Sequence, residues 1–73
     1  MADTLTAEQI AQNYSAALDS VTLITELMAL SSRDAEQTAT VARNVEHLEL
    51  MVAKDYWTSE DLDPFNAAIA AGK

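Results

Sequence analysis

Residues 38–57, TATVARNVEHLELMVAKDYW, decide the fold. Thr38, Val41, Val45, Leu48 and Val52 recur at intervals of three and four, the period of a helix that buries one stripe. Ala35, Ala39 and Ala42 make the start of this segment thin, so that a neighbouring helix can approach closely, and Leu50 and Met51 widen its apolar face toward the end. The pattern predicts a helix from about Arg33 to Lys54, which then leaves through an aromatic corner at Asp55-Tyr56-Trp57. Arg43 and Glu46 are spaced to pair along its exposed side, worth about 0.2–0.5 kcal/mol. Lys54 would place a cation at the negative end of the helix.

Toward the N-terminus, Ser31-Ser32-Arg33-Asp34 interrupts the periodicity. Either serine can cap the next helix, and Asp34 and Glu36 suit its positive end. With neither Gly nor Pro in this segment, a tight turn is expected in preference to a bent, continuing helix. The preceding helix is predicted from Ala7 to about Leu30. Ile10, Tyr14, Ala17, Val21, Ile24 and Met28 form its stripe. Thr6 and Gln9 match a capping box, and Leu5 and Ile10 match the hydrophobic staple around it. A second set, Leu18, Leu23, Leu27 and Leu30, lies beside or beyond the stripe, and contact with one helix would leave some of these leucines wet. Either a third helix covers them or they form a subunit interface.

Toward the C-terminus, Thr58 with Glu60 and Asp61 gives another start signal, and Trp57 with Leu62 repeats the staple. Pro64 deep in a helix costs about 3 kcal/mol. We therefore expect Asp63 as the cap and Pro64 as the first residue of a helix running to Ala71, with residues 58–62 as one separate turn. Phe65, Ala68 and Ile69 mark its buried side, and Gly72 is read as its stop. The fold class expected is all-α: an antiparallel hairpin of two long helices plus a short C-terminal helix, a single domain over residues 1–73. Its expected core is Ile10, Val21, Ile24, Leu27, Val41, Val45, Leu48, Val52 and Trp57. No segment alternates with period two for long enough to form a strand.

Size and charge bound the function. A chain of 73 residues buries only about 60% of its unfolded surface and is marginal alone. It has no cysteine, so a disulfide cannot staple it, and self-association into a dimeric bundle is the expected remedy. Twelve acidic against four basic residues give a net charge of -8, which disfavours direct contact with nucleic acid or anionic membranes. The charge reads as a solubility device or as attraction to a basic partner. The start, MADTLTAEQ, lacks the basic and apolar regions of a signal peptide, and no apolar run approaches the roughly 20 residues of a membrane span. The expected location is cytoplasmic, in the protein's own cell or in an infected host.

Residues for chemistry are sparse. His47 stands at the edge of the stripe, and a helical di-metal site would want Glu where Asn44 stands. Ser15, Ser20, Ser31, Ser32 and Ser59 have no histidine at a recognisable spacing. Glu60, Asp61 and Asp63 crowd a helix start, where capping accounts for them. The single glycine excludes a phosphate-cradling loop. We expect no enzyme activity, no metal and no cofactor.

Residues 41–69, VARNVEHLELMVAKDYWTSEDLDPFNAAI, resemble stretches of small uncharacterised bacteriophage helical proteins. The resemblance implies a phage accessory or structural protein and carries no site residues with it. The function expected is protein–protein interaction by a homo-oligomer whose further protein partner is unknown. Its candidate interface is Leu18, Leu23, Leu27, Leu30, Tyr56 and Trp57, the last two either sealing the bundle's end or forming a contact hot spot. The alternative is an acidic inhibitor that occupies a basic nucleic-acid-binding site on a host enzyme.

Overall fold

The computed structural model describes residues 6–73. Three helices follow in order: α1 (Ala7–Met28), α2 (Ala35–Val52) and α3 (Ser59–Gly72), with no strand among the described residues. The expected all-α class holds. The tail before Thr6, including Leu5 of the first staple, lies outside the described residues.

All three helices start with the same device. Thr6 Oγ1 accepts from the Gln9 amide at 3.1 Å while the Thr6 amide donates to Gln9 Oε1 at 2.9 Å. Asp34 and Gln37 make the same reciprocal pair at 2.7 and 3.0 Å, and Thr58 and Asp61 at 3.1 and 3.2 Å. Each box satisfies donors that the first turn would otherwise leave unpaired.

Two of these starts correct the sequence reading. α2 is capped by Asp34, not by Ser31 or Ser32, and it begins at Ala35. Arg33 stays outside α2 because its guanidinium is used elsewhere: Nη1 donates to the Leu27 carbonyl at 3.2 Å and the Leu30 carbonyl at 3.1 Å. A cation thus closes the negative end of α1, which stops at Met28 rather than Leu30. α3 is one helix from Ser59 to Gly72 with Pro64 inside it, so Asp63 is not a cap and residues 58–62 are not a separate turn. Pro64 removes the bond to the Glu60 carbonyl, but Glu60 is exposed and water can replace the lost donor. Continuity keeps Leu62, Phe65, Ala68 and Ile69 on one face against the core, and that burial outweighs the missing hydrogen bond.

Lys54 lies beyond the end of α2, and Arg43 donates to Thr40 Oγ1 at 3.2 Å instead of pairing with Glu46. The ion pair found among the described residues joins Lys73 to Glu49 at 2.7 Å. Both side chains are well exposed, so it adds little stability.

Each helix packs on the other two. Ile24, Leu48 and Phe65, the largest fully buried side chains, come one from each helix. Ala17, Val41, Val45, Met51 and Ala68 complete the core. Of the other residues expected there, Val21, Leu27, Val52 and Trp57 are half-buried against it, and Ile10 is half-buried. Thr38 is exposed, because the bundle opens at that end into a cleft of about 270 Å³ that Thr38 lines together with Met28, Arg33, Val41, Ala42 and Gly72.

Gly72 is not the stop expected of it. It has no positive φ and lies within α3. A Cβ there would overlap Val45 Cγ2 and sit 3.2 Å from Val41 Cγ1 and 3.3 Å from Ile24 Cγ2. Its role is thinness: hydrogen in place of methyl lets the end of α3 rest on two valines.

Leu48 and Leu50 lie two residues apart with opposite fates, one fully buried and the other 64% exposed. Leu48→Ala should therefore cost about 2–5 kcal/mol, whereas Leu50→Ala should change stability by less than about 0.5 kcal/mol. Urea unfolding followed by circular dichroism measures both; equal losses would contradict this core.

Candidate functional site

The structure joins a pair that sequence spacing did not reveal. Ser20 Oγ and His47 Nδ1 lie 2.8 Å apart, linking α1 to α2. Ser20 is 4% exposed and His47 half-buried. A serine nucleophile needs open space where a substrate carbonyl can approach, and this degree of burial leaves none beside Oγ. The pair acts as a polar tie between two helices. No local signal points to it, because the residues are 27 positions apart and meet only after packing. Among the described residues no three His, Asp or Glu side chains converge as a metal site, and no buried side-chain nitrogen or oxygen lacks a partner.

The tie also orients the surface. Leu23 and Leu27 follow Ser20 by three and seven residues and so share its flank of α1, beside α2. Leu30 lies just past the helix, its amide bonded to the Leu27 carbonyl at 3.2 Å. On α2, Arg43 precedes His47 by four residues and Leu50 follows it by three, so both share the flank of α2 beside α1. Leu23 and Leu30 are each 42% exposed, and with Leu50 they are the large hydrophobic side chains left most open to solvent. Leu23 and Leu50 border the seam between α1 and α2, and Leu30 lies in the connection that joins the two helices.

Leu18 does not belong with them. It stands nine residues before Leu27, about 180° around the helix. It follows Tyr14 by one turn, on the flank whose ring packs on Phe65 at 5.8 Å. The surplus leucines thus divide. Leu18 and Leu27 are half-buried against the core, while Leu23 and Leu30 remain open. Leu50, which the sequence marked only as widening the apolar face, joins the open group.

Tyr56 and Trp57 form a different feature. Trp57 packs on Phe65 edge-on at 5.3 Å, on Tyr14 at 6.1 Å and on Tyr56 at 4.6 Å. Its indole N–H donates to the Met51 carbonyl at 2.7 Å, satisfying one of the last acceptors of α2. Tyr56 Oη accepts from Asn13 Nδ2 at 3.1 Å. These contacts close one end of the bundle, and both side chains stay half-buried.

The 270 Å³ cleft at the other end falls just below the roughly 300–1,000 Å³ of ordinary ligand pockets. Arg33, its one cation, already serves two carbonyls. No helix among the described residues is long and apolar enough to cross a membrane. No protein-family model, curated protein or solved structure matches the chain.

Trp57→Phe keeps most of the ring packing and deletes the donor to Met51. It should cost about 0.5–1.5 kcal/mol. Thermal unfolding would measure the loss; an unchanged midpoint would mean that the indole bond does not secure the corner.

Proposed function

We propose that this chain is a non-enzymatic protein that works by protein contact through the α1–α2 seam, with α1 and α2 paired as an antiparallel hairpin and α3 as its backing. The observation that carries the proposal is the concentration of Leu23, Leu30 and Leu50 on one side of the molecule, at 42%, 42% and 64% exposure, opposite the groove that α3 fills. Scattered single leucines on a surface need no explanation, whereas several on one face do. The order of contacts supports the antiparallel pairing: Asn13 of α1 meets Tyr56, beyond the far end of α2, while Ser20 meets His47 within it. A phage accessory role, which the resemblance of residues 41–69 suggests, is compatible with a small contact protein of this kind. The acidic-inhibitor reading ranks second. Asp19 and Glu26 lie on α1, Glu46 and Glu49 on α2, and Asp55, Glu60 and Asp63 around the start of α3, so the carboxylates form no single phosphate-like track.

A photo-crosslinking side chain placed at Leu23 should yield a discrete adduct in cells that make the protein, whereas one at exposed Ala67 on α3 should not. Leu23→Asn with Leu30→Asn should abolish the partnership behind that adduct and leave the thermal midpoint within about 5 °C, since neither residue is buried. An absence of adducts from position 23, or equal adducts from 23 and 67, would overturn the reading.

A further inference from the structure

Resting on the reading of the α1–α2 seam as a contact face, we infer that its occupant is a second copy of this chain, related by a two-fold axis along the helices, so that α1 of each copy lies on α2 of the other and Arg43 faces Asp19 and Glu26 of the second copy.

Three observations converge on this arrangement. The first is the distribution of charge across the face. On α1, Asp19 stands four residues before Leu23 and Glu26 three after it, so both acids flank the open leucine on its own side of the helix. On α2, Arg43 stands one turn before His47 on the same open side, with Glu46 three residues on; its guanidinium reaches Thr40 Oγ1, and among the described residues no carboxylate pairs with it. The α1 edge of the face is therefore purely acidic, whereas the α2 edge balances one acid, Glu46, with the cation of Arg43.

The second is level. Ser20 sits opposite His47, so in an antiparallel pair Arg43 is level with about residue 24 of α1, between Asp19 and Glu26. A two-fold axis parallel to the helices preserves levels and exchanges the two rows. It sets Arg43 of each copy between the two acids of the other, with Glu46 beside it on the rim. The alternative axis, across the helices, would lay α1 on α1 and acids on acids. Like charges placed together suppress that arrangement, and the opposite charges fix the register of the favoured one.

The third is size. At 1.5 Å per residue the 22 residues of α1 run about 33 Å. Two helices side by side are about 20 Å wide, a footprint of roughly 650 Å² in projection, near the ~800 Å² per partner of a standard stable interface. Leu23, Leu27, Leu30 and Leu50 supply its apolar centre and the charged rows supply its rim, the usual division between affinity and orientation.

The test is a charge exchange read by sedimentation equilibrium. The native chain should be dimeric at tens of micromolar. Arg43→Glu should raise the dissociation constant at least tenfold, and so should Asp19→Lys combined with Glu26→Lys. An equimolar mixture of the two variants should return to within about threefold of native affinity as a heterodimer. Lys73→Glu, with the same change in net charge at the end of α3, should associate like the native chain. Circular dichroism of each species establishes that it is folded; should the double variant fail to fold, Asp19→Lys alone mixed with Arg43→Glu serves as the complementary pair. A native chain that stays monomeric at 100 µM, an Arg43→Glu effect no larger than that of Lys73→Glu, or folded variants whose mixture recovers nothing would each overturn the proposal. Position-23 adducts distinguish this failure from that of the contact face itself: a foreign mass with a monomeric native chain removes the second copy and keeps the face, whereas no adduct removes both.

Discussion

A third helix can fill only one of the two grooves that a pair of helices presents, and most of this molecule follows from which groove α3 fills. α3 is fitted to the flank of α1 that bears Tyr14 and Leu18 and the flank of α2 that bears Val45. It is wide at one end, where Phe65 enters beneath Tyr14 and Trp57, and thin at the other, where Gly72 rests against Val41 and Val45. A side chain at position 72 would hold the end of α3 off α2 and uncover the valines beneath it. With α3 committed to that groove, the opposite flanks have only Ser20, His47 and the half-buried Leu27 to close them.

This asymmetry explains why the core is mixed in character. On the α3 side it is built from residues that cost little conformational entropy to fix: Ala17, Ala68, Val41, Val45 and the ring of Phe65. On the open side the helices are joined by one polar tie. A serine and a histidine at 2.8 Å contribute less than packed hydrocarbon would, about 1 kcal/mol net for an ordinary hydrogen bond. They do define where one helix sits along the other, because sliding by a turn would leave Ser20, almost fully buried, without its partner. The tie thus sets register and the α3 side supplies cohesion.

Local rules carried the sequence reading wherever the physics is local. The box at Thr6 is legible because its donors and acceptors lie within four residues, whereas at Thr58 only the start signal is legible and the box with Asp61 is not. The cap of α2 was misread because Ser31 and Ser32 present the same chemistry as Asp34, and only the engagement of Arg33 with the end of α1 shows which residue is free to cap. The local penalty of about 3 kcal/mol at Pro64 is outweighed by the burial of Phe65 and Ala68, which depends on tertiary contact that the sequence does not display. Gly72 was assigned to backbone conformation when its role is steric. Grouping Leu18 with Leu23, Leu27 and Leu30 counted apolar residues without following their phase, and phase puts Leu18 and Leu27 on opposite sides of one helix. The Ser20–His47 tie had no signature, since nothing in a helical period relates positions 27 apart.

Charge adds a constraint on where such a molecule can touch anything like itself. Two chains at -8 repel at long range, and salt at physiological strength screens that repulsion beyond about 8 Å without removing it at contact. Self-contact is therefore least costly where acids are few and a cation is available. The start of α3, with Asp55, Glu60, Asp61 and Asp63, is unsuitable. The seam of α1 and α2 has three acids, Asp19, Glu26 and Glu46, offset in part by Arg43, together with the open leucines. Hydrophobic exposure and electrostatic tolerance, which have independent physical origins, select the same side of the molecule.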